Sequence, residues 1–497
     1  MDYLLSIDQG TTGTRTYVFD LKGRVLGSAY REHAQYFPQL GWVEHDAAEI
    51  WQAVQATGRA ALKAAGLRPG GLAGKAVIGI TNQRETCVLW DRRSSRPLHR
   101  AIVWQCRRTA AHCERLKQAG SERPIRAKTG LLLDAYFSAT KAAWLLDHTP
   151  GARQLAAKGQ AALGTIDSWL LWQLSGGAVH STDPTNASRT LLYNIRTQAW
   201  DAGLLRSFRV PASLLGRVLP SAGLFGRTRR GAFCGADVAI TGMAGDQQAA
   251  LFGQGCFKPG SMKNTYGTGC FLLLNLGKKF RLSKHRLLTT LACDEEGKPA
   301  YALEGAVFIG GAAMQWVRDG LGLVKSAGES AKVAASLKDN GGVYLVPAFV
   351  GLGAPHWDMA ARGLLTGITR GTGRAQVVRA ALESMAFQSG ELIKAMQADA
   401  GLKIRRLRVD GGASRNDWLL RFQADLSNLV VERPAVVETT ALGAAMLAGV
   451  GAGWLKGAKA LKAFSRAGAT FKPSMQSKAR RALWAGWDQA IRQARTL

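Results

Sequence analysis

Acidic side chains are scarce in this 497-residue chain: 35 Asp and Glu stand against 65 Lys and Arg, a formal charge of +30. Long apolar runs are missing too. The uncharged stretch Leu442–Leu455 falls short of the ~20 apolar residues that a membrane-spanning helix needs. Asp2 and Asp8 flank a short apolar run at the N-terminus, which lacks the basic start and cleavage pattern of a signal peptide. Together these features predict a cytoplasmic protein with no membrane insertion. The seven cysteines are scattered without a C-x-x-C pair, which excludes a disulfide framework and a thiolate zinc site. The eight histidines include no H-E-x-x-H, so no transition-metal centre is expected. No Gly-Lys is followed by Ser or Thr, and no complete G-x-G-x-x-G follows a strand. A P-loop NTPase and a dinucleotide-binding dehydrogenase are thereby excluded.

The chain does contain 47% hydrophobic and 20% charged residues, the composition of a folded protein rather than a disordered polyelectrolyte. Its positive charge is spread out and densest in the tail, where Gly451–Leu497 sets ten Lys and Arg against Asp488 alone. Such a face more often meets solvent than a specific nucleic acid. The length exceeds what one core accommodates and predicts two domains, 1–250 and 251–497.

Tyr3–Asp8, Arg15–Asp20 and Arg24–Ala29 read as strands, with Gln9–Thr14 a turn rich in Gly and Thr. Ala47–Ala64 has apolar residues at helical spacing, and Ala76–Ile80 reads as a buried strand. This alternation predicts an α/β architecture. A similar unit recurs about 255 residues later, where Met262–Tyr266 enters Gly267-Thr-Gly269 and leaves as the apolar run Cys270–Asn275. The repeat predicts two related halves facing each other. In the tail, Trp484, Trp487 and Ile491 fall at helical spacing and are expected to pack against the body.

Turns of this kind suit phosphate. Glycine lets backbone N–H groups approach anionic oxygens, and threonine hydroxyls add donors. Asp8 ends a strand beside the first turn, and Asp246 lies in the Gly-rich segment Gly242–Gln248. Either carboxylate can organise Mg2+ or accept a hydroxyl proton; the alternative for Asp246 is a helix cap. Adjacent Arg84 and Glu85 offer a donor and an acceptor, which is what vicinal hydroxyls require. The alternative there is a surface ion pair.

Eight segments occur in a set order: Asp8-Gln-Gly-Thr-Thr-Gly-Thr-Arg15, Gly79–Glu85, Ala101–Arg108, Thr185-Asn-Ala-Ser-Arg189, Gly245–Gly253, Asn264–Phe271, Pro347–Pro355 and Val409–Ala413. Together they resemble the FGGY carbohydrate-kinase family, most nearly its glycerol-phosphorylating members. The resemblance implies two actin/hexokinase-like (ribonuclease H-like) α/β domains around a central ATP and substrate cleft. It implies in-line phosphoryl transfer from ATP, with Mg2+, to glycerol, giving sn-glycerol 3-phosphate. By the same resemblance, Thr11, Thr12, Gly13, Arg15 and Thr268 meet the ATP phosphates, and Gly311, Gln315, Gly412 and Asn416 make further nucleotide contacts. Arg84, Glu85, Tyr136, Asp246 and Gln247 bind glycerol, with Trp104 and Phe271 as the apolar wall. Asp246 is the implied catalytic base, and Asp8 and Asp246 are the metal-organising carboxylates. ATP and glycerol are then the partners, and no specific nucleic acid is expected; homodimer and homotetramer both stay open. The remaining alternatives are a relative acting on another polyol or a ketose, and a non-enzymatic actin-like nucleotide-binding module.

Several positions depart from the family pattern. Gly13 stands where Ser is frequent. Ala135 replaces a Pro before the substrate tyrosine, so Tyr136 is expected to be less firmly held. Gly226–Asp237 lacks the stretch that binds fructose 1,6-bisphosphate in some members, and Lys472–Arg481 does not resemble the segment that meets a phosphotransferase-system regulator. Neither control is expected.

Overall fold

The computed structural model describes residues 2–229 and 232–496; residues 230 and 231, within the segment 226–237 discussed above, lie outside it. Two mixed sheets dominate. The first contains β1 (Tyr3–Gln9), β2 (Gly13–Asp20), β3 (Val25–Glu32), β4 (Ala76–Asn82), β5 (Ala222–Arg227) and β6 (Ala239–Gly245), in the order β5-β6-β4-β1-β2-β3. The second contains β7 (Met262–Tyr266), β8 (Cys270–Gly277), β9 (Leu288–Cys293), β10 (Pro299–Val307), β11 (Arg406–Asp410), β12 (Val430–Pro434) and β13 (Ala467–Phe471), in the order β9-β10-β8-β7-β11-β12-β13.

The two sheets repeat one plan. β1 pairs antiparallel with β2 and parallel with β4, and β7 pairs antiparallel with β8 and parallel with β11. Asp8 lies opposite Arg15 and Thr81, while Thr265 lies opposite Phe271 and Asp410. The internal repeat read from the glycine turns is therefore a repeat of topology. It places the two turns at matching strand ends.

Local chemistry sets the helices. In α1 (Ala47–Ala64), Asp46 caps the first turn by accepting from the Ala48 N–H at 2.7 Å, and Ile50, Val54, Ala61 and Leu62 form the buried stripe. The α2 helix (Asp246–Gly253) leaves the end of β6. The long α3 (Arg374–Ala400) ends on left-handed Gly401, φ 59°. From the second half of the chain, α4 (Thr439–Gly451) returns to cover the first sheet, touching β1, β4, β6 and α2. A Cβ on Gly443 would stand 1.8 Å from the Ala249 carbonyl oxygen, so only glycine permits this crossing. In α5 (Ser477–Ala494), Trp484, Trp487 and Ile491 are buried, and Trp487 stacks on Phe387 at 4.9 Å between ring centroids. Lys478, Arg481, Arg492 and Arg495 stay exposed on its other side. No helix among the described residues is long and apolar enough to cross a membrane.

Candidate active site

Arg84 and Glu85 follow the end of β4 and are 3% and 2% exposed, which removes the surface ion pair. Arg84 presents Nη1 and Nη2 to the two oxygens of Glu304 on β10, at 2.6 and 2.9 Å. Its Nε stands 3.1 Å from Asp246 Oδ1. Glu85 accepts instead from Nε of Arg189 at 2.6 Å, and Nη2 of Arg189 lies 3.1 Å from Glu304 Oε1. Glu304 and Arg189 are both fully buried. Burial pushes the Glu304 carboxyl up, yet Arg189 and Arg84 outweigh it and hold it down at about 2. For Glu85 the balance reverses: burial outweighs Arg189 and Arg84, and the carboxyl is raised. Glu85 also holds a left-handed backbone, φ 64°. The Thr86 N–H donates to the Arg84 carbonyl at 2.8 Å and the Ser138 hydroxyl to the Glu85 carbonyl at 3.1 Å, fixing that turn.

Tyr136 packs edge-on against Trp104 with ring centroids 5.5 Å apart, and the Arg189 guanidinium lies 5.6 Å from the Tyr136 ring. Although Ala135, not proline, precedes it, polar contacts hold the Tyr136 backbone. The Tyr136 N–H donates to Asp134 Oδ1 at 2.8 Å, and Arg107 grips Asp134 at 2.6 and 3.1 Å. The buried Lys141 ammonium donates to the carbonyls of Ala135 and Tyr136, at 3.2 and 2.5 Å. Tyr136 is thus held from both sides. Trp104 also reaches the first glycine turn: its Nε1–H donates to Thr11 Oγ1 at 2.9 Å.

Asp246 is the first residue of α2, and Gly245 occupies the cap position. Its carboxylate stays partly open, with 31% of the side chain exposed. Gln247 Oε1 accepts from the buried Lys263 ammonium, which also donates to Thr265 Oγ1 at 2.8 Å. Burial lowers Lys263 to about 8, against the opposing pull of Asp410 and Asp246. Phe271 is half-buried on β8, opposite Thr265.

The first turn leaves Thr11 half-buried, Thr12 and Arg15 exposed and Gly13 covered; Arg15 lies 3.9 Å from Glu438 and over the Tyr30 ring. In the second half, exposed Thr268 and the backbone of 310–312 are joined. Gly310 N–H donates to the Thr268 carbonyl at 2.8 Å, and Gly311 N–H to the Gly267 carbonyl at 2.9 Å. Gly411 packs on the Tyr266 carbonyl, so exposed Gly412 lies near the same strand end. Gln315 is exposed at the end of the short helix Gly311–Gln315. Asn416 is engaged elsewhere: Oδ1 caps the helix Asp417–Ser427 from the Leu419 N–H at 3.0 Å, and Nδ2 reaches Ser330 at 3.4 Å.

The carboxylate set suits a hard divalent cation. Burial is the main cause that pushes Asp8 up to about 7; Arg15 opposes it, and the neighbouring Asp246 and Glu438 carboxylates add to it. Negative groups crowded in this way favour Mg2+, which takes oxygen ligands and keeps waters. No cluster of three or more His, Cys, Asp or Glu able to enclose a metal occurs among the described residues. An ion shared with a phosphate chain fits this arrangement better than an all-protein cage does.

Sequence reasoning passed over Arg189 as an ion-pair partner, and Glu304, Lys263 and Lys141 altogether. The available signal was a lone charge in an apolar context, as in Tyr301-Ala-Leu-Glu304-Gly-Ala-Val307.

Comparison with known proteins agrees with this geometry. The model for "FGGY family of carbohydrate kinases, N-terminal domain" matches residues 3–253, and that for the C-terminal domain matches residues 262–452. A glycerol kinase of Dechloromonas aromatica is 56% identical over 98% of this chain and 97% of its own length. Glycerol kinase 2 of Thermotoga maritima is 51% identical over 99% and 98%. The crystal structure of Plasmodium falciparum glycerol kinase with ADP superposes with a TM-score of 0.92 at 34% identity, over 99% of this chain and 98% of that one. This chain is a member of the FGGY family of carbohydrate kinases.

Proposed function

We infer that this protein transfers the γ-phosphoryl group of ATP to glycerol, forming sn-glycerol 3-phosphate. The observation that carries the reading is the buried Arg84–Glu85 pair beside the partly open carboxylate of Asp246, in a chain 56% identical over nearly its full length to a glycerol kinase. Arg84 donates to, and Glu85 accepts from, neighbouring hydroxyls of the polyol. Tyr136 and Trp104 cover its carbon chain, with Phe271 approaching from the second half, and Gln247 supplies a further polar contact. Asp246 accepts the proton of the attacking primary hydroxyl.

Residues 1–250 bring Thr11, Thr12, Gly13 and Arg15 to the phosphates, and residues 251–497 bring Thr268. Gly311, Gln315 and Gly412 lie along the nucleotide, while Asn416 serves it indirectly by fixing the helix start beside Gly412. Asp8 and Asp246 would hold Mg2+, which when bound would supply positive charge to the transferring phosphoryl group. Alignment and charge neutralisation are most of what such a reaction asks of a protein.

The test is a direct assay of purified protein with ATP and Mg2+ against glycerol, dihydroxyacetone, erythritol and xylulose. Glycerol should give the highest kcat/KM and yield glycerol 3-phosphate. A ketose or tetritol preferred over glycerol would overturn the substrate assignment.

A further inference from the structure

The polyol-binding side chains all come from the first sheet and its connections, apart from Phe271. Yet Arg84 is aimed by a residue of the second sheet. Glu304 lies 220 residues along the chain from Arg84. It stands on β10 in register with Leu273 and Leu288, among apolar neighbours where an unpaired carboxylate would be strongly disfavoured. Its two oxygens take both Nη groups of Arg84, and one of them also faces Arg189, whose Nε holds Glu85. The ring of contacts therefore runs Arg84–Glu304–Arg189–Glu85, closing on the two adjacent residues that meet the diol.

We propose that Glu304 is a positioning residue for polyol recognition, acting through Arg84 directly and through Arg189 on Glu85. Three points argue for this role rather than for a simple tie between the halves. First, a guanidinium held by two parallel hydrogen bonds has its plane fixed, so its Nε, 3.1 Å from Asp246 Oδ1 but without a hydrogen-bond partner, is left as a donor for a hydroxyl beside it. Second, with Arg84 committed to Glu304, Glu85 keeps one carboxylate oxygen outside its bond to Arg189, and that oxygen is available to a hydroxyl donor. Without Glu304, Arg84 and Arg189 would both turn to Glu85 and consume the acceptor. Third, two guanidiniums meet two buried carboxylates, while Asp246, with Arg84 and the buried Lys263 ammonium near it, is the acidic member of the group whose side chain stays partly open. Side chains arranged before the substrate arrives need no rearrangement when it binds.

The inference rests on the glycerol reading above. Its test is steady-state kinetics of the full-length Glu304→Gln variant against wild type, varying glycerol and ATP separately. The second acceptor is 1,3-propanediol, which has a primary hydroxyl but no vicinal pair. Glu304→Gln keeps the volume and one acceptor oxygen. It should raise KM for glycerol roughly 10- to 100-fold, the factor expected when a charge-assisted hydrogen bond is lost. KM for ATP should stay within about twofold, and kcat/KM for 1,3-propanediol should fall far less than that for glycerol. Equal losses for both acceptors, or parallel rises in both KM values, would reduce Glu304 to a structural tie and overturn the proposal. If Glu304→Gln does not accumulate as folded protein, Arg189→Lys is read on the same panel, and the same glycerol-selective rise is required. Wild-type protein that makes no glycerol 3-phosphate would instead overturn the functional reading, and this inference with it.

Discussion

Arg84 Nε stands 3.1 Å from Asp246 Oδ1, so the side chain proposed to grip the polyol is an ion-pair neighbour of the carboxylate proposed to receive its proton. The Gln247 N–H donates to the same Oδ1 at 2.7 Å. Asp246 therefore has one oxygen committed to the protein, and the proposed function assigns the other to the hydroxyl or an ion. Replacing Asp246 by Asn preserves this shape and removes the proposed base. Asp246→Asn is expected to lower kcat about 10²- to 10⁴-fold and to leave glycerol affinity, measured calorimetrically, within severalfold. Near-normal turnover would remove Asp246 from the proton-transfer step.

Lys141 offers a test of how Tyr136 is held. Its ammonium is buried and spent on the carbonyls of Ala135 and Tyr136, a costly use of charge unless it fixes something. Lys141→Met keeps the length of the stem and removes the donor. The expected result is a severalfold rise in KM for glycerol, a smaller change in KM for ATP, and a loss of about 1–3 kcal/mol of stability from the two orphaned carbonyls. A variant with unchanged glycerol kinetics would show that Asp134 and Arg107 alone suffice to hold the loop.

The contrast between Arg84 and Glu304 explains how far the sequence could be read. The hairpins and α1 were legible because each rests on contacts within a few turns or strands of the chain, and the burial of Trp484, Trp487 and Ile491 because they share one face of a helix, although Phe387, which the two tryptophans pack on, lies far away in the chain. The glycine turns exposed the repeat for the same reason. Arg84 and Glu85 stood out as a donor beside an acceptor because they are adjacent in the chain. Their real ion-pair partners were not, since Arg189 and Glu304 lie 104 and 220 residues away, one on a loop of the first half and the other on a strand of the second sheet, and only tertiary folding brings them in. The path of α4 was hidden differently: almost every side of it is buried, so no apolar stripe declared which sheet it covers.

Gly13 leaves no room for the Ser expected there from the family pattern. A Cβ there would stand 2.5 Å from the Tyr30 ring, 2.6 Å from its hydroxyl and 2.7 Å from the Arg31 carbonyl oxygen. Tyr30 is partly exposed, and Arg15 lies over its ring at 4.9 Å. Gly13→Ser should therefore cost about 1–3 kcal/mol by overpacking and raise KM for ATP by displacing Tyr30 and, with it, Arg15. Adding Tyr30→Ala should recover part of the stability, because the flexible neighbour is then gone, but the Arg31 carbonyl remains. Full additivity of the two substitutions in thermal unfolding would show that Tyr30 is not what excludes a side chain at Gly13.

The buried charges also set an acid dependence. In the folded protein the Glu304 carboxyl is held at about 2: burial pushes it up, but Arg189 and Arg84 more than offset that. In the unfolded chain it returns to its ordinary value of 4.5. Between these values the unfolded chain takes up a proton that the folded one does not, so the stability this group contributes is complete above pH ~4.5 and drains away as pH falls toward 2. Glu85, raised by burial, works in the opposite sense, and the +30 background repels itself in any variant. A difference between proteins isolates the one group. The gap in urea midpoint between wild type and Glu304→Gln should be largest at pH 7, still near its full size at pH 5, and clearly smaller at pH 3. A gap that stays constant across that range would mean that Glu304 contributes through shape rather than through its charge.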